Sequence, residues 1–196
     1  MAAKVASPLA TPNAPPRLAH EVTIGEALVS EAAAISLIGT TTFTTTFGYS
    51  VPENNLATFL EETYSEKAIE AEIISAQESN ISTFVARNNT GAVLGFVQLV
   101  RELSDPCLEG ETSSHAELRR LYVDVSTQGL GVGSKLIAAV EERARVEGFK
   151  QLWLTVFEEN TRTQRLYERL GFVKKGETDF STGGCIQTDW VLSKPL

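Results

Sequence analysis

This 196-residue chain has little cysteine, little histidine and no long apolar run. Its two cysteines, Cys107 and Cys185, stand alone, so neither a disulfide framework nor a metal-ligand spacing can be drawn from them, and they read as reduced thiols. The two histidines, His20 and His115, are equally scattered, which disfavours a zinc site and a Ser-His-Asp triad. No metal is expected. No apolar run approaches the roughly 20 residues that cross a bilayer, so no membrane span is expected either. Positive charge is also short, with 17 Lys and Arg against 25 Asp and Glu and a net charge of −8. Nucleic-acid affinity rests on neutralising phosphates with Lys and Arg, so a cationic small molecule fits this chain better than nucleic acid.

The length suits one domain with a sizeable core. The first twenty residues, rich in Ala and Pro with little to bury, read as a flexible leader (1–20) before a single domain (21–196). The leader has neither a secretory apolar core nor an Arg-rich amphipathic pattern, which points to the cytoplasm.

From Glu21 to Gln77 the pattern is mostly helical. Ile24-Gly25-Glu26 leads into a helix from Ala27 to Ile38, Pro52-Glu53 opens a second, and Glu66 to Ile74 forms a third. Between the first two lies a Thr-rich aromatic stretch, Thr40 to Tyr49. Its Phe43, Phe47 and Tyr49 face a substrate or merely pack a connection. The period then changes to two. Ile81–Arg87 and Ala92–Val100 read as a hairpin around Asn88-Asn89-Thr90-Gly91, and Ala116–Val125 as a longer strand. With unbroken alternation, Glu117 and Arg119 share a side with Leu121, Val123 and Val125. A helix from Gly133 to Glu147, a strand from Gln151 to Phe157, a helix from Thr161 to Leu170 and strands near Val173–Glu177 and Cys185–Leu192 complete the order.

The segment Gln128-Gly129-Leu130-Gly131-Val132-Gly133-Ser134 sits between a strand and a helix. Glycines there leave backbone N–H groups unobstructed, and the helix start adds positive potential, so a diphosphate can be held without lysine. A Walker loop fails on spacing, because Lys135 follows Ser134 rather than preceding it. A dinucleotide fingerprint would need a glycine at Ser134 and no hairpin upstream.

The pattern Gln128-x-x-Gly131-x-Gly133 resembles the Arg/Gln-x-x-Gly-x-Gly/Ala signature of the GNAT superfamily of N-acetyltransferases. Glu117-Leu118-Arg119-Arg120-Leu121-Tyr122-Val123 is similar to that family's central strand. Asn160 through Tyr167 to Gly171-Phe172 is similar to its Asn-x-x-Ala-x-x-x-Tyr-Glu-x-x-Gly-Phe segment, with Thr163 in place of the alanine. The likeness covers residues 20 to 192 and is strongest from 115 to 172.

That resemblance implies an α/β (α+β) fold: a mixed, mostly antiparallel central sheet, helices on both faces and a splayed parallel strand pair. It implies acetyl-CoA as cosubstrate. The backbone of Leu121, Tyr122 and Val123 would pair with the pantetheine arm, and Gly129, Leu130, Gly131, Val132, Gly133 and Ser134, beside Gln128, would give N–H groups to the diphosphate. Asn160 would contact the pantetheine amides, although it also suits a helix N-cap. The reaction implied is direct attack of a neutral amine on the thioester. Val123 N–H would polarise the carbonyl and Tyr167 would be the general acid, with a packed helix tyrosine as its alternative. Glu117 is the candidate base; pairing with Arg119 or Arg120 is its other reading. Phe43, Phe47 and Tyr49 would shape the acceptor pocket, with Glu53, Glu61 and Glu62 supplying negative field. The acceptor class is a small amine, with the polyamine acetyltransferases as the suggested subset. A protein or peptide amine, a noncatalytic acyl-CoA-binding module and a homodimer stay open.

Overall fold

The computed structural model describes residues 22–196, so the expected leader lies outside the described residues. The described part opens on a strand, β1 (Thr23–Glu26), where the sequence suggested the approach to a helix. Four residues from Thr23 to Glu26 pair antiparallel with β2 (Ile81–Arg87), a long-range contact that local periodicity does not report. Three helices follow: α1 (Ala32–Phe47), α2 (Glu53–Tyr64) and α3 (Glu66–Ile74).

Helix α1 does not stop at Ile38 but runs through the threonines to Phe47. β-Branched residues lower helix propensity, yet Ile35, Ile38 and Phe43 are buried along this helix, and burial outweighs tenths of a kcal/mol per residue. The Thr45 hydroxyl meanwhile donates to the Thr41 carbonyl at 2.7 Å, a local bond that threonine makes readily in a helix.

Strand β3 (Val93–Arg101) returns antiparallel along β2, and β4 (His115–Val123) along β3. Helix α4 (Val132–Val146), β5 (Gln151–Phe157) and α5 (Thr161–Arg169) follow, then the hairpin of β6 (Val173–Thr182) and β7 (Cys185–Pro195). That hairpin is longer than its sequence pattern suggested, because β7 pairs with β6 from Cys185 to Ser193 and with β5 from Asp189 to Pro195. The sheet order is β1-β2-β3-β4-β5-β7-β6. Among the described strands only β4 and β5 pair in parallel. Helices α4 and α5 pack on one face with Leu118, Leu152 and Leu154, and α1 and α3 on the other with Val85 and Phe96. The fold is thus the mixed, mostly antiparallel sheet with helices on both faces that the resemblance implied. Among the described residues no helix is long and apolar enough to cross a membrane.

Two irregularities open the sheet at its centre. First, β4 and β5 pair only from His115↔Gln151 to Glu117↔Trp153, although β4 continues to Val123 and β5 to Phe157. Beyond Glu117 the two strands part. Second, Gln98 faces Arg119 and Phe96 faces Tyr122, so Arg120 and Leu121 together oppose Val97, a β-bulge. Arg120 takes φ 53°, a left-handed conformation uncommon for a residue with a Cβ. Its guanidinium is held by Glu72 at 2.8 Å and lies 5.4 Å from the centre of the Tyr64 ring. Gly95 lets β3 close on the strand just past the bulge, since a Cβ there would stand 2.6 Å from the Tyr122 carbonyl oxygen.

The bulge overturns the expected alternation. Leu118, Leu121 and Val123 all pack with α4, while Tyr122 packs with the α1 cluster and Glu117 lies on the face opposite Leu118. Val125 falls outside the strand and is exposed.

Candidate active site

The parted ends of β4 and β5 border a cavity of about 870 Å³. It passes from the N-terminus of α4 and the flank of α5 through the sheet to a chamber under α1, α2 and the β6–β7 hairpin.

On the α4 side the wall is mostly backbone. Gly131 stands at the N-cap with φ 84° and ψ 4°, a conformation open to glycine at little cost. The first intrahelical bond there runs from Lys135 N–H to the Gly131 carbonyl, so Val132, Gly133 and Ser134 have no intrahelical acceptor for their N–H groups. These groups and the helix dipole converge where an anion would be favoured. Gln128, Gly129, Gly131, Val132, Gly133 and Ser134 line the cavity. Leu130 does not: its side chain is exposed and its N–H donates to the Thr127 carbonyl at 3.3 Å, completing the turn instead. The Gln128 side chain also serves the turn, donating to the Val123 carbonyl at 3.3 Å.

Asp124 N–H donates to Leu94, which by the alternation of an antiparallel ladder turns the N–H of Val123 away from β3 and toward the gap, while Leu121 lies in the bulge, where that alternation is interrupted. An extended, amide-bearing ligand could pair there as an added strand. Asn160 lines the same passage and caps α5, its Oδ1 accepting from Thr163 N–H at 3.3 Å. Both readings of Asn160 are compatible, since its amide nitrogen is left to donate. Gln164 fixes the start of α5 by donating to the Phe157 and Glu158 carbonyls at 3.0 and 2.9 Å.

Tyr167 is buried in the cavity wall, against Phe172. No hydrogen-bond partner for its hydroxyl occurs among the described residues. Burial, reinforced by nearby Tyr122, pushes that hydroxyl well above the ordinary phenol range, so it stays protonated throughout the physiological range.

On the opposite face the wall is made of side chains. Phe43, Phe47, Phe59, Tyr64, Phe157 and Phe180 line it, linked by edge and tilted contacts, with Phe43 and Phe59 4.7 Å apart and Phe59 and Phe180 6.0 Å apart. Two bridges join its rims: Gln187 donates to the Ser50 hydroxyl at 2.8 Å, and the Asn55 amide donates to the Gly183 carbonyl. Tyr49 is not part of this wall; it is 72% exposed and donates to Glu159 at 3.0 Å. Glu53, Glu61 and Glu62 are exposed on α2 and also lie outside the lining, because α2 turns its other side to the chamber.

Glu117 does reach the cavity and is buried, but both Nε and Nη2 of Arg119 bind its Oε2, at 2.9 and 2.6 Å. Sequence reasoning missed the other buried acid, Asp189 on β7. It pairs with Phe157 on β5, lines the cavity and has no salt-bridge partner among the described residues. Burial raises its carboxyl to about 6, against the opposing effect of a hydrogen bond with Thr155. A single Asp between Thr188 and Trp190 carries no local signal of such a place. The hydroxyls of Tyr64 and Tyr122, 3.1 Å apart, add a buried polar pair that the sequence reading also missed.

Residues 49–172 match the model of the acetyltransferase (GNAT) family. An uncharacterized N-acetyltransferase of the pepI 3′ region from Lactobacillus delbrueckii subsp. lactis is 32% identical over 155 residues, 79% of this chain and 86% of that protein. A spermine/spermidine N(1)-acetyltransferase from Bacillus subtilis is 35% identical over 74 residues, only 37% of this chain and 49% of that protein. Among solved structures, the PaiA N-acetyltransferase of Thermoplasma acidophilum in complex with coenzyme A superposes with a TM-score of 0.72 at 20% identity, over 90% of this chain and 99% of that one. The yncA protein of Salmonella typhimurium with acetyl-CoA gives 0.68 at 21% identity, over 90% and 94%. At such identities the structures speak for the fold, and the family match covers well over half of the chain. By that match and by the parted strands, glycine turn and α5 segment that underlie it, the chain belongs to the acetyltransferase (GNAT) family.

Proposed function

We propose that this chain transfers the acetyl group of acetyl-CoA to the primary amine of a small molecule, by direct attack with both substrates bound. The observation that carries the reading is the single passage through the sheet, with free N–H groups of α4 at one end, Tyr167 at its middle and an aromatic chamber at the other. The chemistry of the donors fits the cosubstrate. Val132, Gly133 and Ser134 would hold the diphosphate, Leu121 and Val123 the pantetheine arm, and the inward N–H of Val123 would polarise the thioester carbonyl. Tyr167, neutral at working pH, would donate to the departing sulfur.

A small acceptor is favoured over a protein by the Gln187–Ser50 and Asn55–Gly183 bridges, which tie the chamber's rims together where an open groove would be needed for a polypeptide. The polyamine reading has the partial Bacillus relative in its support and has lost Glu53, Glu61 and Glu62 as its carboxylates. Thiol release from acetyl-CoA with a panel of amines tests the proposal. Turnover that falls at least a hundredfold in Tyr167→Phe supports it, whereas tight acetyl-CoA binding without turnover of any amine favours a binding module.

A further inference from the structure

We propose that Asp189 is the carboxylate that receives the acceptor's ammonium group and takes its proton, and that the aromatic wall beside it selects an amine carried on an apolar body. The inference rests on the acetyl-transfer reading of the same cavity.

The face on which Asp189 lies follows from β alternation. Gln187, Asp189 and Val191 share one side of β7, and Thr155 and Phe157 share that side of β5, while Trp190 and Leu192 face α4. The Asp189 carboxylate therefore stands in the chamber floor, next to Phe157, whose ring meets Phe47 edge-on at 6.1 Å. The acids that share the cavity are differently placed. Glu117 is bound by Arg119, Asp105 accepts from Cys107 N–H at 2.8 Å, and Asp179 is exposed. Asp189 alone among these is buried with neither a guanidinium nor an ammonium beside it. A buried acid without a counter-charge is costly unless a cation completes it or it takes a proton, and an alkylammonium substrate supplies both.

The surrounding groups agree with that role. Glu158, at the end of β5, raises the carboxyl's proton affinity further, Thr155 opposes it, and Tyr122 of β4 feels its charge. From β6, Thr178 is its ladder partner and Asp179 lines the same cavity. Of the cavity lining, α1 supplies Phe43, Phe47 and Thr46, which carry no charge, and α5 supplies Tyr167 together with the cationic Arg162 and Arg169. A carboxyl that titrates near 6 is matched to proton transfer near neutrality, and it ionises in time to attract the ammonium.

Asp189 removes one proton from R–NH3⁺ and passes it to solvent. The freed lone pair forms the C–N bond to the acetyl carbon as the C–S bond breaks. Tyr167 gives its proton to the leaving sulfur and is restored by the second proton that nitrogen sheds. One amide, one thiol and one released proton result.

The test measures acetyl-CoA turnover with hexylamine, 2-phenylethylamine and spermidine in wild type, Asp189→Asn and Glu117→Gln, with kcat/KM followed from pH 5 to 9 and acetyl-CoA affinity by calorimetry. Asp189→Asn should lose about a hundredfold or more in kcat/KM. It should also lose the inflection near pH 6 that wild type and Glu117→Gln share, while acetyl-CoA binds as before. Retention within threefold, with the inflection intact, overturns the assignment, as does loss of the inflection in Glu117→Gln instead. A preference for spermidine over both apolar amines overturns the selection by the aromatic wall. If wild type turns over none of the three, the acetyl-transfer reading falls and the carboxyl itself decides. In [13C]aspartate-labelled protein, hexylammonium must shift the signal that Asp189→Asn removes, and an unmoved signal overturns the proposal.

Discussion

The two sides of the gap between β4 and β5 are built by different means. The α4 side is contiguous chain: seven residues from Gln128 to Ser134 leave backbone N–H groups where an anion would be favoured, and the side chains matter mainly by being absent. The acceptor side is an assembly of side chains from α1, α2, β4, β5, β6 and β7, brought together from separate stretches of the chain. A backbone site tolerates few sequences and is conspicuous. A side-chain site depends on which face each residue meets, and a bulge or a strand register can reassign that face without leaving a local trace.

Substitutions that fall on one side only can break or sharpen this contrast. Replacing Tyr167 by Phe, at the junction, should have the largest effect, a fall in kcat of about 10²- to 10³-fold with acetyl-CoA affinity unchanged within twofold. Urea unfolding should show little change, because the lost hydroxyl has no hydrogen-bond partner among the described residues. An equal loss of acetyl-CoA affinity would place Tyr167 on the α4 side instead.

Next in size is a pH effect confined to the acceptor side. The Asp189 carboxyl holds its proton more tightly folded, to about 6, than in the unfolded chain, where its ordinary value is 3.8. The folded state therefore binds more protons between those values, and this group's contribution to stability falls as pH rises through pH 4 to 6. Across that window wild type should lose about 2 kcal/mol relative to Asp189→Asn, read from urea midpoints at each pH. Parallel curves for the two proteins would contradict it.

On the α4 side, Gly131→Asp puts a side chain at φ 84° and a carboxylate where the anion would lie. Acetyl-CoA affinity should drop at least tenfold, about 1.4 kcal/mol, by calorimetry, and the amine's KM should hold within threefold. A smaller effect is expected for Asn55→Ala, which unties α2 from the hairpin turn and should raise the amine's KM a few-fold with the cosubstrate unaffected. The smallest belongs to Tyr49→Phe, which removes an exposed hydrogen bond to Glu159 and should leave stability within about 0.5 kcal/mol and activity unchanged.

The contrast also explains what sequence reading recovered. The order of β2, β3, β4, α4, β5 and α5 was legible because each shows a strong period or an unambiguous turn, such as Asn88 to Gly91 or Gly148 after α4. β1 was not, since four residues gain strand character only from β2. The length of α1 was not, because the burial of Phe43 overrides the threonines around it. Phe43 and Phe47 reach the chamber as expected, yet Tyr49, two residues further on, has left the helix and points to solvent, which no spacing rule distinguished. Glu117 lines the cavity but lies on the face opposite Leu121 and Val123 rather than beside them, because the bulge at Arg120 lay unseen in Arg119-Arg120-Leu121.

By itself the sequence determined the glycine turn, its strand-to-helix setting, the α5 segment with Asn160 and Tyr167, and through these the family. Such features are local, and their physics is fixed by a few adjacent φ and ψ angles and by missing side chains. Only the tertiary structure decided which buried carboxylate of the cavity lacks a counter-charge. Arg119 lies two residues from Glu117 and claims it, while the burial of Asp189 arises from strands and helices up to about a hundred and forty residues away meeting over one floor.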